Sequence, residues 1–175
     1  MSKHTVRLPH EIDPFRLSET RAHLEGEIPL KQFKRLQPLL KVDSGKVSVM
    51  LDFDLDEFGV PQVVGQLKTD LALICQRCLE RYDIPVEVEL KLNWVKSEQD
   101  AKKLPLRYEP LLVESIPLKL NDVIEDELLL ALPIIAMHEL DECNAAKFVT
   151  NDKAAEIEKE KPNPFAVLAE LKKDH

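Results

Sequence analysis

From Lys46 to Leu55 apolar and polar residues change places at every step. Val47, Val49, Leu51, Phe53 and Leu55 alternate with Lys46, Ser48, Met50, Asp52 and Asp54. A period of two predicts a half-buried β-strand with an acidic outer face near its end. Asp56-Glu57-Phe58-Gly59 reads as a turn, and Val63–Leu73 as the returning strand of a hairpin. The alternation resumes in Tyr82, Ile84, Val86, Val88, Leu90 and Leu92, set against Asp83, Pro85, Glu87, Glu89 and Lys91. Pro85 has no amide hydrogen to give a ladder, which points to an edge or a bulge. Residues 46–95 therefore predict an antiparallel meander.

The flanks follow another period. Leu30, Phe33, Leu36, Leu39 and Leu40 recur every three or four residues, which predicts an amphipathic helix with Lys31, Lys34 and Arg35 on its basic side. Asp13-Pro14-Phe15 is a helix start, with the aspartate as cap and proline in the first turn. Residues 1–45 are thus expected to be mostly helical. Residues 96–110 read as a loop and Leu111–Val113 as a short strand. Residues 120–133 read as a helix capped by Asn121 or Asp122 and ended by Pro133. The fold class expected is α+β, a meander or partly closed barrel-like sheet flanked by helices. One domain would span 1–143, followed by a mobile linker over 144–162. A short helical motif over 163–172 would then have Asn163 as cap, Pro164 at the first helical position, and Phe165, Leu168 and Leu171 on one face. So short a helix must dock to persist.

The 175 residues are enough for one core. The longest apolar run, Leu128–Met137, is half the length a membrane span needs, and the N-terminus lacks an apolar signal core. A cytoplasmic location is expected, with no membrane partner. The net charge of −8 is uneven: residues 1–50 carry +3 and residues 51–100 carry −6. Phosphate contacts dominate the affinity of autonomous nucleic-acid binders, so a chain this acidic does not read as one.

The chemistry concentrates at Cys75-Gln76-Arg77-Cys78, a Cys-x-x-Cys placed on a turn between two predicted strands. With His138 and Cys143 it makes a Cys3His set, the ligand number and type of a structural zinc site. The spacing of the second pair is non-standard, and the turn lacks the glycine that often lets such knuckles close. The competing reading makes the cysteines small packing residues and His138 an ordinary loop residue. A thiol–disulfide enzyme would want the thiols at a helix N-terminus, and the flanks here read as strands. Arg77 and Arg81 bracket the turn. They can meet phosphate or carboxylate, or simply be solvated beside Glu80 and Asp83.

Glu125-Asp126-Glu127 reads as a solvated first turn rather than catalytic carboxylates, since consecutive helix positions point apart. Asp52, Asp54 and Asp56 read as an exposed acidic stripe, and Trp94 as a core or rim aromatic. No phosphate-cradling glycine loop and no nucleophile with its base can be identified, so no catalytic residue is assigned.

Three segments together carry a resemblance. Cys75-Gln76-Arg77-Cys78-Leu79, Glu125-Asp126-Glu127-Leu128 with Ala131-Leu132-Pro133, and Asn163-Pro164-Phe165-Ala166-Val167-Leu168 are similar to the bacterial YceD family, the large ribosomal RNA subunit accumulation proteins. The likeness runs through essentially the whole chain. It implies a cytoplasmic, non-enzymatic factor in synthesis, processing or stability of 23S ribosomal RNA. Many relatives carry a second cysteine pair where this chain has His138 and Cys143. The partner expected is a pre-large-subunit particle or a basic ribosomal or assembly protein. Lys31, Lys34, Arg35, Arg77 and Arg81 would add weak RNA contact. The alternatives are a stand-alone RNA-binding module and, less favoured, a metal-dependent RNA-processing enzyme.

Overall fold

The alternating segments become the sheet. The computed structural model describes residues 8–145. β4 (Lys46–Leu55), β5 (Pro61–Ile74) and β6 (Arg81–Val95) run antiparallel, with Val49 opposite Leu67 and Leu67 opposite Val88. Val47, Val49, Leu51 and Phe53 are buried, while Lys46, Ser48, Met50 and Asp52 face water. Trp94 is buried and stacks on Phe53 at 6.3 Å between ring centroids. It is a core aromatic. Gly65 is fixed by close approach: a side chain there would collide with the Met50 carbonyl oxygen and stand 2.6 Å from Leu51 Cδ2.

Strand also takes much of the region expected to be helical. β1 (Glu11–Ile12), β2 (His23–Pro29) and β3 (Leu40–Val42) are extended. β2 lies antiparallel to β4, and β3 pairs with the last part of β5. The only α-helix there among the described residues is α1 (Pro14–Glu19), started as expected by the Asp13 carboxylate, which accepts from Phe15 N and Arg16 N. β2 had a legible signal: Leu24, Gly26 and Ile28 alternate with exposed His23, Glu25 and Glu27.

The predicted helix over Leu30–Leu40 is absent. Two 3-10 turns, Leu30–Gln32 and Gln37–Leu39, stand in its place. A three-residue spacing fits a 3-10 turn as well as an α-helix, and Leu30, Phe33 and Leu36 are fully buried. Pro38 removes an amide from the second half, and the Glu125 carboxylate takes the amides of Arg35 and Leu36.

After β6 come α2 (Glu98–Lys103), β7 (Pro110–Leu112), β8 (Leu118–Lys119) and α3 (Leu120–Ala131). β7 pairs parallel to the end of β6, and β8 pairs with β1 in a separate two-stranded sheet. α3 buries Leu120, Val123, Ile124 and Leu128 in the same core as the inner face of the meander. Its cap position is Lys119, without a side-chain hydrogen bond, so neither Asn121 nor Asp122 serves. The large sheet is open, in the order β2-β4-β5-β6-β7, and the class is α+β. It is not a closed barrel.

Among the described residues, those up to 136 belong to one compact unit and 137–145 to another. The described part of the second, 137–145, consists of turns and irregular backbone, with Cys143 buried. Most of the expected linker and all of the 163–172 motif, with Asn163, Pro164, Phe165 and Leu168, lie outside the described residues. Among the described residues, no helix is long and apolar enough to cross a membrane.

Candidate metal centre

Where β5 ends, the chain reverses through Cys75–Glu80. Cys75 N donates to Glu80 O at 2.9 Å, and Leu79 N donates to Cys75 O at 2.8 Å. Such a turn sets positions i and i+3 on one side, which is what two thiols need to share a ligand. Leu79, just after the second cysteine, has φ +62°. Glycine adopts that backbone freely and leucine does so at a cost. The knuckle therefore closes without its glycine, by strain. Gln76 N donates to Ala136 O at 2.8 Å, so the backbone two residues before His138 is held against the cysteine turn.

The ligand atoms of Cys75, Cys78, His138 and Cys143 all lie within 4.8 Å of one another. Cys75 and Cys143 are buried, and Cys78 and His138 half-buried. Bonds of about 2.3 Å to sulfur in a tetrahedron correspond to a ligand–ligand edge of roughly 3.8 Å. The four groups are thus near that spacing and would draw in by up to about 1 Å on a metal. The set can bind a metal ion. With four protein ligands it would be closed, which suits structure and leaves no position for substrate.

The predicted cations are distributed differently. Lys31 and Lys34 are exposed on the connection between β2 and β3. Arg77 is half-buried in the cysteine turn, and Arg81 is exposed and paired with Asp83 at 2.7 Å. Arg35 is committed within the fold. Its guanidinium meets Asp126 Oδ1 at 2.6 Å and Glu125 Oε2 at 3.0 Å, and donates to Asp122 O at 3.2 Å. The hydrogen bonds to Asp126 and Glu125 raise its pKa further. Glu125 is only 5% exposed, so the reading of a solvated acidic turn is corrected at this residue.

The acidic stripe is likewise engaged. Asp52 meets His23 Nδ1 at 2.6 Å and Asp54 meets Arg21 Nε at 3.1 Å. Asp56 lies in the turn beyond β4 and accepts from Tyr108 OH, Val60 N and Phe58 N. Burial pushes its pKa up, but these hydrogen bonds outweigh burial and leave it below the usual carboxylate range. What the sequence reading missed is an apolar rim beside the cysteine turn, formed by Leu39, Leu79, Leu130 and Ile134. Its signal was the run Leu128–Met137, which holds more apolar residues than one helix face can bury.

A family model described as large ribosomal RNA subunit accumulation protein YceD matches residues 63–172. The chain is also 35% identical over 170 residues to a protein of Haemophilus influenzae named large ribosomal RNA subunit accumulation protein YceD. That match covers 95% of this chain and 97% of the relative. No solved structure matches.

Proposed function

The chain belongs to the family of the large ribosomal RNA subunit accumulation protein YceD, and on that premise we propose a non-enzymatic factor that supports 23S ribosomal RNA by engaging a basic protein of large-subunit assembly. The observation that carries the choice of partner is the outer face of the sheet. Glu25, Met50, Gln66 and Glu89 stand side by side across β2, β4, β5 and β6, and the next rank is Glu27, Ser48, Lys68 and Glu87. Acids outnumber cations on this face, and three of its cations are already paired: Lys46 with Glu27, Lys68 with Glu87 and Arg81 with Asp83. Such a surface repels phosphate and steers a basic protein. Among the described residues, the outward positions of β4, β5 and β6 hold no Phe, Tyr or Trp on which a base could stack.

The Cys3His set holds zinc in this reading, in a structural role. Soft thiolates and an imidazole in four-fold number suit zinc better than magnesium or calcium, which prefer oxygen. Zinc there would fix the turn at the end of β5 without taking part in chemistry.

The test is complementation. Cells lacking the protein should hold less large-subunit than small-subunit RNA, and the wild-type chain should restore the balance. A chain carrying Glu25→Lys, Glu87→Lys and Glu89→Lys should not. Full restoration by that variant, or tight salt-sensitive binding of naked 23S RNA by the isolated protein, would overturn the proposed partner class.

A further inference from the structure

Among the described residues, β2 is the one long strand with an open side. It pairs with β4 alone, in a register that runs unbroken from His23 to Pro29. The other strands with an open side have two or three residues. Two hydrogen bonds at the ends of β2 say which way its amides point. Phe53 N donates to Ala22 O at 2.9 Å, and Leu30 N donates to Gly45 O at 3.1 Å. Even-numbered residues thus face β4, and in an antiparallel ladder the direction reverses at each step. The N–H and C=O groups of His23, Glu25 and Glu27 therefore point away from β4, where no strand among the described residues takes them.

An open edge is a template for another strand, and proteins blunt it with shortness, proline, bulges or charge. β2 is seven residues long, has no bulge and no proline before Pro29, and turns Leu24, Gly26 and Ile28 inward. Charge is the device it carries instead, and the charge is acidic. Glu25 and Glu27 stand outward on the strand itself. Glu27 meets Lys46 at 2.8 Å, but the pair of Glu25 with His23 Nε2 is long, at 3.9 Å, and its side chain is 61% exposed.

These side chains select the occupant. Residues directly opposite on paired strands share a face. A strand added to β2 sets every second side chain beside Glu25 and Glu27, and the others beside Leu24 and Ile28, which pack on the core. A second copy of this chain fits badly. Antiparallel pairing of β2 with itself sets glutamate against glutamate in each central register, and like charges directly opposite repel. Lysine or arginine alternating with apolar residues meets both demands.

We propose that β2 receives an extended basic segment of a partner protein as an added strand. Main-chain hydrogen bonds to His23, Glu25 and Glu27 would hold it, and the two glutamates would choose its charge. The proposal rests on the preceding reading for the partner being a basic protein. It adds where that protein is gripped and in what conformation.

The experiment follows backbone amide exchange by NMR in the full chain. Its probes are two peptides of the length of β2, one alternating lysine with valine and one alternating glutamate with valine. In the free protein the amides of His23, Glu25 and Glu27 should exchange fast, and those of Leu24, Gly26 and Ile28 slowly. The lysine peptide at about ten times its Kd should slow the first three about tenfold, and the glutamate peptide should not. Glu25→Pro removes an edge donor but no bond to β4, and proline is tolerated where the N–H faces water. It should weaken the lysine peptide about tenfold while Leu24 and Gly26 stay protected. Glu25→Lys keeps the amide and should weaken the peptide by charge alone.

Wild-type affinity in both variants would overturn the edge assignment. So would slow exchange at the three edge amides without peptide, which means cover by the chain's own residues if it is independent of concentration and by a second copy if it is not. A lysine peptide that perturbs the amides of β5 and β6 but leaves the edge amides fast would sink the edge and keep the basic partner. One that perturbs neither would sink the partner class as well.

Discussion

Glu125 ties α3 to the segment before β3 through Arg35: its Oε1 accepts the Arg35 amide at 2.6 Å and the Leu36 amide at 3.0 Å, and its Oε2 meets Arg35 Nε at 3.0 Å. One buried carboxylate thus satisfies two main-chain donors and half of a charge pair. Glu125→Ala strands all three, and the unmet donors should cost about 3 kcal/mol. Glu125→Gln keeps an acceptor for the amides but loses the charge, and should cost about 1–2 kcal/mol. Urea unfolding of the two variants checks the order. Equal midpoints for wild type and Glu125→Ala would refute the anchor.

On the other side of the sheet, His23 Nδ1 meets Asp52 at 2.6 Å across β2 and β4. The hydrogen bond to Asp52 raises the imidazole pKa from its ordinary 6.5, against a smaller lowering by desolvation. A raised folded value stabilises the protein fully below the unfolded pKa, and that contribution is lost as pH climbs through the folded one. Both side chains are about half exposed, so the effect should stay below about 0.5 kcal/mol. NMR titration should place the His23 midpoint above 6.5, and Asp52→Asn should lower it. A midpoint unmoved by that substitution would remove the coupling.

Gly65 is a test of packing. A methyl there meets the Met50 carbonyl on the neighbouring strand β4, which cannot retreat without disturbing the ladder, and Leu51 Cδ2, which can move only by turning its buried side chain. Gly65→Ala should destabilise by about 2–3 kcal/mol, even though alanine suits a strand better than glycine does. An unchanged Tm would mean that the two strands spread apart more easily than this register implies.

The meander was legible because a period of two survives wherever one sheet face is buried, and residues 46–95 keep it with few breaks. In Leu30–Leu40 the three-residue spacing does not separate an α-helix from 3-10 turns. What decided it was Glu125, about ninety positions away, taking the amides a helix would have used. In β2 Gly26 interrupts the apolar face, though the flanking acids keep the alternation. Residue type and the Cys-x-x-Cys spacing pick out the metal ligands. Their convergence was not derivable, because it depends on tertiary contacts such as the hydrogen bond from Gln76 to Ala136.

For the four-ligand set, protein purified without chelator should carry about one equivalent of zinc, and less than about a tenth would exclude the site. Cys78→Ser should lose the metal and speed hydrogen exchange at the Leu79 amide, whose bond to Cys75 O closes the turn. Arg81→Ala, removing an exposed side chain paired with Asp83, should change neither. Zinc retained in full by Cys78→Ser would take that cysteine out of the set.

Leu79 tests the strain in the cysteine turn. Its φ of +62° is one that glycine adopts without a Cβ penalty, and its side chain is largely in water. Leu79→Gly should therefore stabilise the fold, by about 1 kcal/mol, where a core leucine would cost several. Leu79→Ala keeps the backbone strain, so it should not raise Tm. If the glycine variant lowers Tm, the turn is not strained.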